Sequence, residues 1–318
     1  MNDKEQYIKK MIEMKTGKNI LPENICFENP VFNVISKYVE VILQKECAGT
    51  KFKEKIKFYF LIDRHIDALS IDVQGTRILC ITTGAVELIP SLIYEMSECK
   101  GFFLDYNSHM PPEKIINELI SYVFLLLVLH ECGHIFQGHV QYLNGGSASS
   151  VLAFGNRISH IQQSIGLEVK TLEYAADVYA AEYMSKMFLS NCPDRATLID
   201  KIKNIYAATL FLHIILAIFN KDKNVEAIYL PFSSRINELF VRAYIKVHKF
   251  DIDINQIEKI LKEVYPTISI ALFRMTKIKS VDLVNYQDKE AITKELREIE
   301  NHWETIAGDV LKFSIWEV

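Results

Sequence analysis

The feature that most constrains this chain is an apolar run, Leu119 to Leu129, that ends directly in His130-Glu131-Cys132-Gly133-His134. Pro111-Pro112 marks the expected start of one long helix, because proline and an acidic Glu113 both suit a first turn. That helix is expected to run through about His139. Residues four apart lie on one helical face, so His130 and His134 aim two imidazoles at one point. Glu131 sits about 100° round the helix, where it reaches a water on the metal without taking a coordination position. Two ligands beside a general base are what metal-assisted peptide hydrolysis requires. With nine histidines in 318 residues, a chance HExxH is expected in roughly a few per cent of such chains. The competing reading, two core histidines satisfied by hydrogen bonds alone, must bury two imidazoles and a carboxylate at considerable cost.

A catalytic zinc takes a third protein ligand and keeps one position open. Leu172-Glu173-Tyr174-Ala175-Ala176-Asp177 repeats the four-residue spacing. Glu173 is expected to ligate, and Asp177 to accept the outer N–H of a ligating histidine and fix its tautomer. Ala175, Ala176, Ala180 and Ala181 would let this helix approach the first closely, which weighs against a solvated acidic face. His139 competes for the third position. On a continuous helix it lies roughly 140° from His134 and ligates only if the helix breaks at Gly138. The expectation is that it supports the site from behind or serves structure.

Composition narrows the alternatives. A formal net charge of −4 provides no basic field for nucleic acid, so none is expected as a partner. Six cysteines stand singly, without a CxxC pair, as free thiols in a reducing compartment do. The N-terminal residues lack the apolar stretch of a secretory signal. Leu119–Leu129 and Ile205–Phe219 both fall short of the 18 or more apolar residues that a span needs. The expected protein is soluble and cytoplasmic, without stable membrane insertion.

Along the chain, residues 1–50 are expected to be helical, interrupted near Pro22 and Pro30. Strands are expected at 56–63, 67–73 and 77–83, the last two joined by a turn at Gln74-Gly75-Thr76. Helices follow at 84–96, 167–190, 203–219, 233–248, 254–264 and 287–308, with a flexible loop at 144–150. The expected divisions are an N-terminal helical and β part (1–110), a helical catalytic core (111–245) and a C-terminal helical extension (246–318).

HExxH followed by ExxxD resembles the gluzincin pattern. The segment Asp67-Ala68-Leu69-Ser70-Ile71-Asp72-Val73-Gln74-Gly75 through Gly84 resembles the strands beside the catalytic helix of the HtpX and CAAX-protease family. Leu230-Pro231-Phe232-Ser233-Ser234-Arg235-Ile236 resembles that family's HP…RI segment. The layout is closer still to the Lit-type phage-exclusion peptidases, over roughly residues 58–245. The resemblance implies an α+β fold with a mainly helical zincin-type core and a small N-terminal sheet. It implies one catalytic Zn2+ on His130, His134 and Glu173, with Glu131 as base. Arg235 would stabilise an oxyanion or pair with Asp177. The substrate would be an intracellular protein or peptide in a phage-defence or regulatory setting, paired as a strand along a sheet edge. Leu230 departs from the family histidine, whose transition-state role is either missing here or moved to His213 or Tyr229. Cys132 is expected to pack in the core. The reading from a different class is a binding or regulatory protein that keeps the zinc scaffold without turnover.

Overall fold

The computed structural model describes residues 3–48, 50, 56–106, 108–143, 151–153, 166–219, 254–276 and 289–316. Among these the chain runs α1 (Asp3–Thr16), α2 (Glu23–Glu28), α3 (Pro30–Cys47), β1 (Ile56–Leu61), β2 (Ala68–Val73), β3 (Thr76–Thr82), α4 (Thr83–Ser97), α5 (Phe102–Tyr106), α6 (Pro112–Gln137), α7 (His139–Leu143), β4 (Val151–Ala153), α8 (Gly166–Phe188), α9 (Arg195–Phe219), α10 (Ile254–Thr276) and α11 (Lys289–Val310), then a 3-10 turn at Leu311–Phe313. The protein is mostly helical with one small sheet, which is the α+β class expected. The expected helix at 233–248 and loop at 144–150 lie outside the described residues.

The three expected strands form, and β4 adds a short fourth. Their order is β1-β3-β2-β4, with β1 parallel to β3 and the other pairs antiparallel. Gln74 and Gly75 both take positive φ, 51° and 78°, which fits the right-handed twist of a two-residue hairpin. The two faces of β2 differ. Leu69, Ile71 and Val73 join Ile8 and Ile12 of α1 in a small apolar cluster. The alternate residues Ala68, Ser70 and Asp72 carry small or polar side chains. Ala68 joins the main core, and Asp72 accepts a 2.7 Å hydrogen bond from Gln141 of α7. A period-two strand thus divides an apolar layer from a site layer.

Helix α6 is the axis of the main core. It packs against α4, α8, α9, β2 and β3, and every residue from Tyr122 to Phe136 is buried. Its 26 residues are long and apolar enough, by length and composition, to cross a membrane. Counting only Leu119–Leu129 understated this, because the helix extends the apolar run at both ends. Its most apolar stretch is 89% buried by the rest of the protein, as in a core helix. Two other boundaries differ from expectation. Helix α9 begins at Arg195 because Asp194 accepts the Thr197 N–H at 2.8 Å as a cap. Helix α10 continues through Pro266, since Ile268, Ala271 and Leu272 lie buried in the main core and their burial outweighs the lost backbone bond.

The last turn of α6 is closed by distant residues. Gly138 takes φ 83° and its N–H bonds His134 O, so the helix stops at Gln137 and not at His139. Arg77 on β3 donates to Ile135 O at 2.5 Å and also to Phe313 O. Ile315 N donates to Phe136 O at 2.8 Å. These contacts satisfy carbonyls that a helix end leaves orphaned. A Cβ on Gly138 would lie 2.5 Å from the backbone carbon of Phe313. Gly138→Ala is therefore expected to destabilise the fold by roughly 1–3 kcal/mol, from left-handed strain and displacement of the C-terminal turn. Urea unfolding monitored by circular dichroism measures this, and an unchanged midpoint contradicts it.

Candidate metal centre

Two helices build the site. Helix α6 contributes His130, Glu131 and His134, and α8 contributes Glu173 and Asp177. They meet at Gly133, where a Cβ would stand 2.9 Å from Ala176 Cα. Glycine facing alanine lets the backbones approach closely enough for short side chains to share one centre. The Nε2 atoms of His130 and His134 are 3.0 Å apart. The Glu173 oxygens lie 3.2 Å from His130 Nε2 and 3.6 Å from His134 Nε2. One donor atom from each of the three residues falls within a 4.8 Å cluster able to hold a metal ion.

The donor set fits a small cation. Ligands about 2.0–2.2 Å from a tetrahedral ion such as zinc stand roughly 3.3 Å from one another, and the three separations bracket that value. Both Glu173 oxygens are buried and make no hydrogen bond, a costly state for a carboxylate without a cation. Burial raises the Glu173 pKa, but the two imidazoles more than offset it and hold it down at about 2. Burial also opposes charge on His130. There the hydrogen bond to Asp177, with the Glu173 carboxylate, outweighs burial and raises the pKa to about 9. Two carboxylates, Glu173 and Asp177, thus face the paired imidazoles and favour positive charge on them.

The outer nitrogens are held as well. His130 Nδ1 is 2.8 Å from Asp177 Oδ1, the contact anticipated for Asp177. His134 Nδ1 is 2.9 Å from His139 Nδ1, because the left-handed Gly138 turns the chain and starts α7 at His139. His139 therefore sits behind His134 and outside the three-donor cluster. Burial keeps its pKa well below the ordinary histidine value, so it is neutral and able to accept the His134 Nδ1–H. Its own Nε2 makes no hydrogen bond, and its ring lies edge to face with Trp303 of α11, centroids 6.1 Å apart.

Glu131 is fully buried, and burial raises its pKa to about 8 against the opposing effects of His130 and Ser70. Ser70 on β2 places its hydroxyl 2.5 Å from Glu131 Oε2 and 3.0 Å from the Glu131 carbonyl oxygen. Glu131 Oε1 has no hydrogen-bond partner. The sequence marks Ser70 only as a small polar residue alternating with leucine and isoleucine. Cys132 is buried in the main core, as expected. His213 is buried on α9 with Nδ1 2.8 Å from Thr209 O, a core arrangement within its own helix. Arg235, Leu230 and Tyr229 lie outside the described residues. A cavity of about 290 Å3 lined by Val31, Val34, Tyr38, Phe124 and Val128 among others is almost wholly apolar and includes none of the cluster residues. Comparisons of the chain with protein-family models, with curated proteins and with solved structures gave no match.

Proposed function

We propose that this chain is a zinc-dependent endopeptidase of the gluzincin type, built on a zincin-like helical core. The observation that carries the reading is the convergence of His130 Nε2, His134 Nε2 and the unbonded Glu173 carboxylate, with a buried Glu131 beside them. A zinc ion held there supplies Lewis acidity toward a scissile carbonyl and acidifies water. The remaining work falls to the protein. Glu131, tied through Oε2, has Oε1 available to take a proton and pass it to the leaving amine. Asp177 and His139 fix the tautomers that turn both Nε2 lone pairs inward. A peptide substrate pairing as an extended strand at a sheet edge is the matching partner.

One observation favours a non-catalytic zinc scaffold. His130, Glu131, His134 and Glu173 are each at most 1% exposed, as in a closed structural site. The intact, unbonded Glu131 Oε1 favours turnover, because a structural site has no use for a buried base. Elemental analysis of the purified protein tests the metal first. About one zinc per chain is expected, with loss of it in His134→Ala. Absence of metal from the wild type, or full retention by His134→Ala, contradicts the assignment. Cleavage assays then separate enzyme from scaffold.

A further inference from the structure

We infer that Ser70 is a positioning residue that keeps Glu131 a base and prevents it from becoming a fourth ligand. The inference rests on the metal centre proposed above. A carboxylate buried next to a divalent cation is drawn to it, since few interactions in a dry site compete with that attraction. Glu131 is adjacent in sequence to the ligand His130 and fully buried. A Glu131 that binds the ion fills the position a substrate carbonyl needs. Something must hold the side chain back.

Ser70 is placed to do so. Its hydroxyl is the one hydrogen-bond donor to the Glu131 carboxylate among the described residues, at 2.5 Å from Oε2. The hydroxyl cannot easily follow the carboxylate, because β2 is paired on both edges. Ser70 stands opposite Leu79 on β3 and Leu152 on β4. Only Oε2 is tied, and Oε1 stays without a partner. One fixed oxygen and one unbonded oxygen describe a tethered base. The alternative is a serine that merely satisfies a buried polar group, and Ser70 already has a second acceptor for that purpose in the Glu131 carbonyl, 3.0 Å away.

The test uses the full chain loaded with Co2+, whose visible absorption reports its ligands, together with zinc affinity from chelator competition. In Ser70→Ala the freed Glu131 is expected to bind the ion, shifting the Co2+ bands and tightening zinc on the order of 10-fold, the scale of one lost hydrogen bond to a charged group. Ser70→Gly, which also removes the donor and adds no metal ligand, is expected to behave as Ser70→Ala does and serves if the alanine variant misfolds. In a Glu131→Ala background, Ser70→Ala is expected to change neither readout. Bands and affinity that match the wild type in Ser70→Ala overturn the inference, as does a shift that persists without Glu131. A wild type that takes up neither Co2+ nor zinc overturns the metal centre itself, which is a different failure.

Discussion

Glu131→Ala is expected to keep its metal and its fold while losing proteolysis by on the order of 100-fold or more, the usual contribution of a positioned general base. The proposed ligands are His130, His134 and Glu173, so the substitution removes none of them. Nor does it strand Ser70, whose hydroxyl keeps the carbonyl of residue 131 within 3.0 Å. What disappears is a buried carboxylate with one oxygen held by Ser70 and the other without a partner, placed to accept a proton and return it. Zinc content, circular dichroism and cleavage of a protein mixture, measured on the same preparation, check all three parts. A variant that cleaves as fast as the wild type removes Glu131 from the mechanism even if zinc is bound.

Asp177→Ala should fail in the opposite order. Its carboxylate holds His130 through a 2.8 Å hydrogen bond and adds negative charge one step behind the three-donor cluster. Losing it frees the imidazole tautomer and ring orientation, and zinc affinity is expected to fall by about 10- to 100-fold. Activity should then follow metal occupancy and recover as zinc is added. Competition with a chromophoric chelator gives the affinity directly. An unchanged zinc affinity in Asp177→Ala would mean that His130 is oriented by something else. The two variants separate water chemistry from metal retention, which no single substitution does.

The legible and illegible parts of the site divide along physical lines. His130 with His134, and Glu173 with Asp177, are pairs four apart on single helices, and helical periodicity alone puts each pair on one face. The alanines of α8 foreshadow the meeting of the two helices, whereas the part of Gly133 emerges only from its close approach to Ala176. Ser70 was invisible for a different reason. A strand presents alternate residues to opposite faces, and nothing in Ala68-Leu69-Ser70-Ile71 says which face meets α6. That depends on packing between residues 61 positions apart. His139 was placed roughly 140° from His134 on an unbroken helix. The left-handed Gly138 changes that angle, and Phe313, far along the chain, leaves no room for a side chain there. The same distance hid the closure of α6 by Arg77 and Ile315, because such carbonyl acceptors leave no mark in side-chain patterns. The start of α9 depends on the Asp194 cap, which hydrophobic periodicity does not register, and the end of α10 depends on packing that carries the helix past Pro266.

The central claim, that this metal centre hydrolyses peptide bonds, is tested most directly by comparing protein N-termini in cells expressing wild type and Glu131→Ala at equal levels. The account predicts one or a few new N-termini that appear with the wild type and are absent with the variant, both proteins carrying zinc. Identical sets of N-termini from two zinc-loaded proteins would contradict it and leave the scaffold reading in its place.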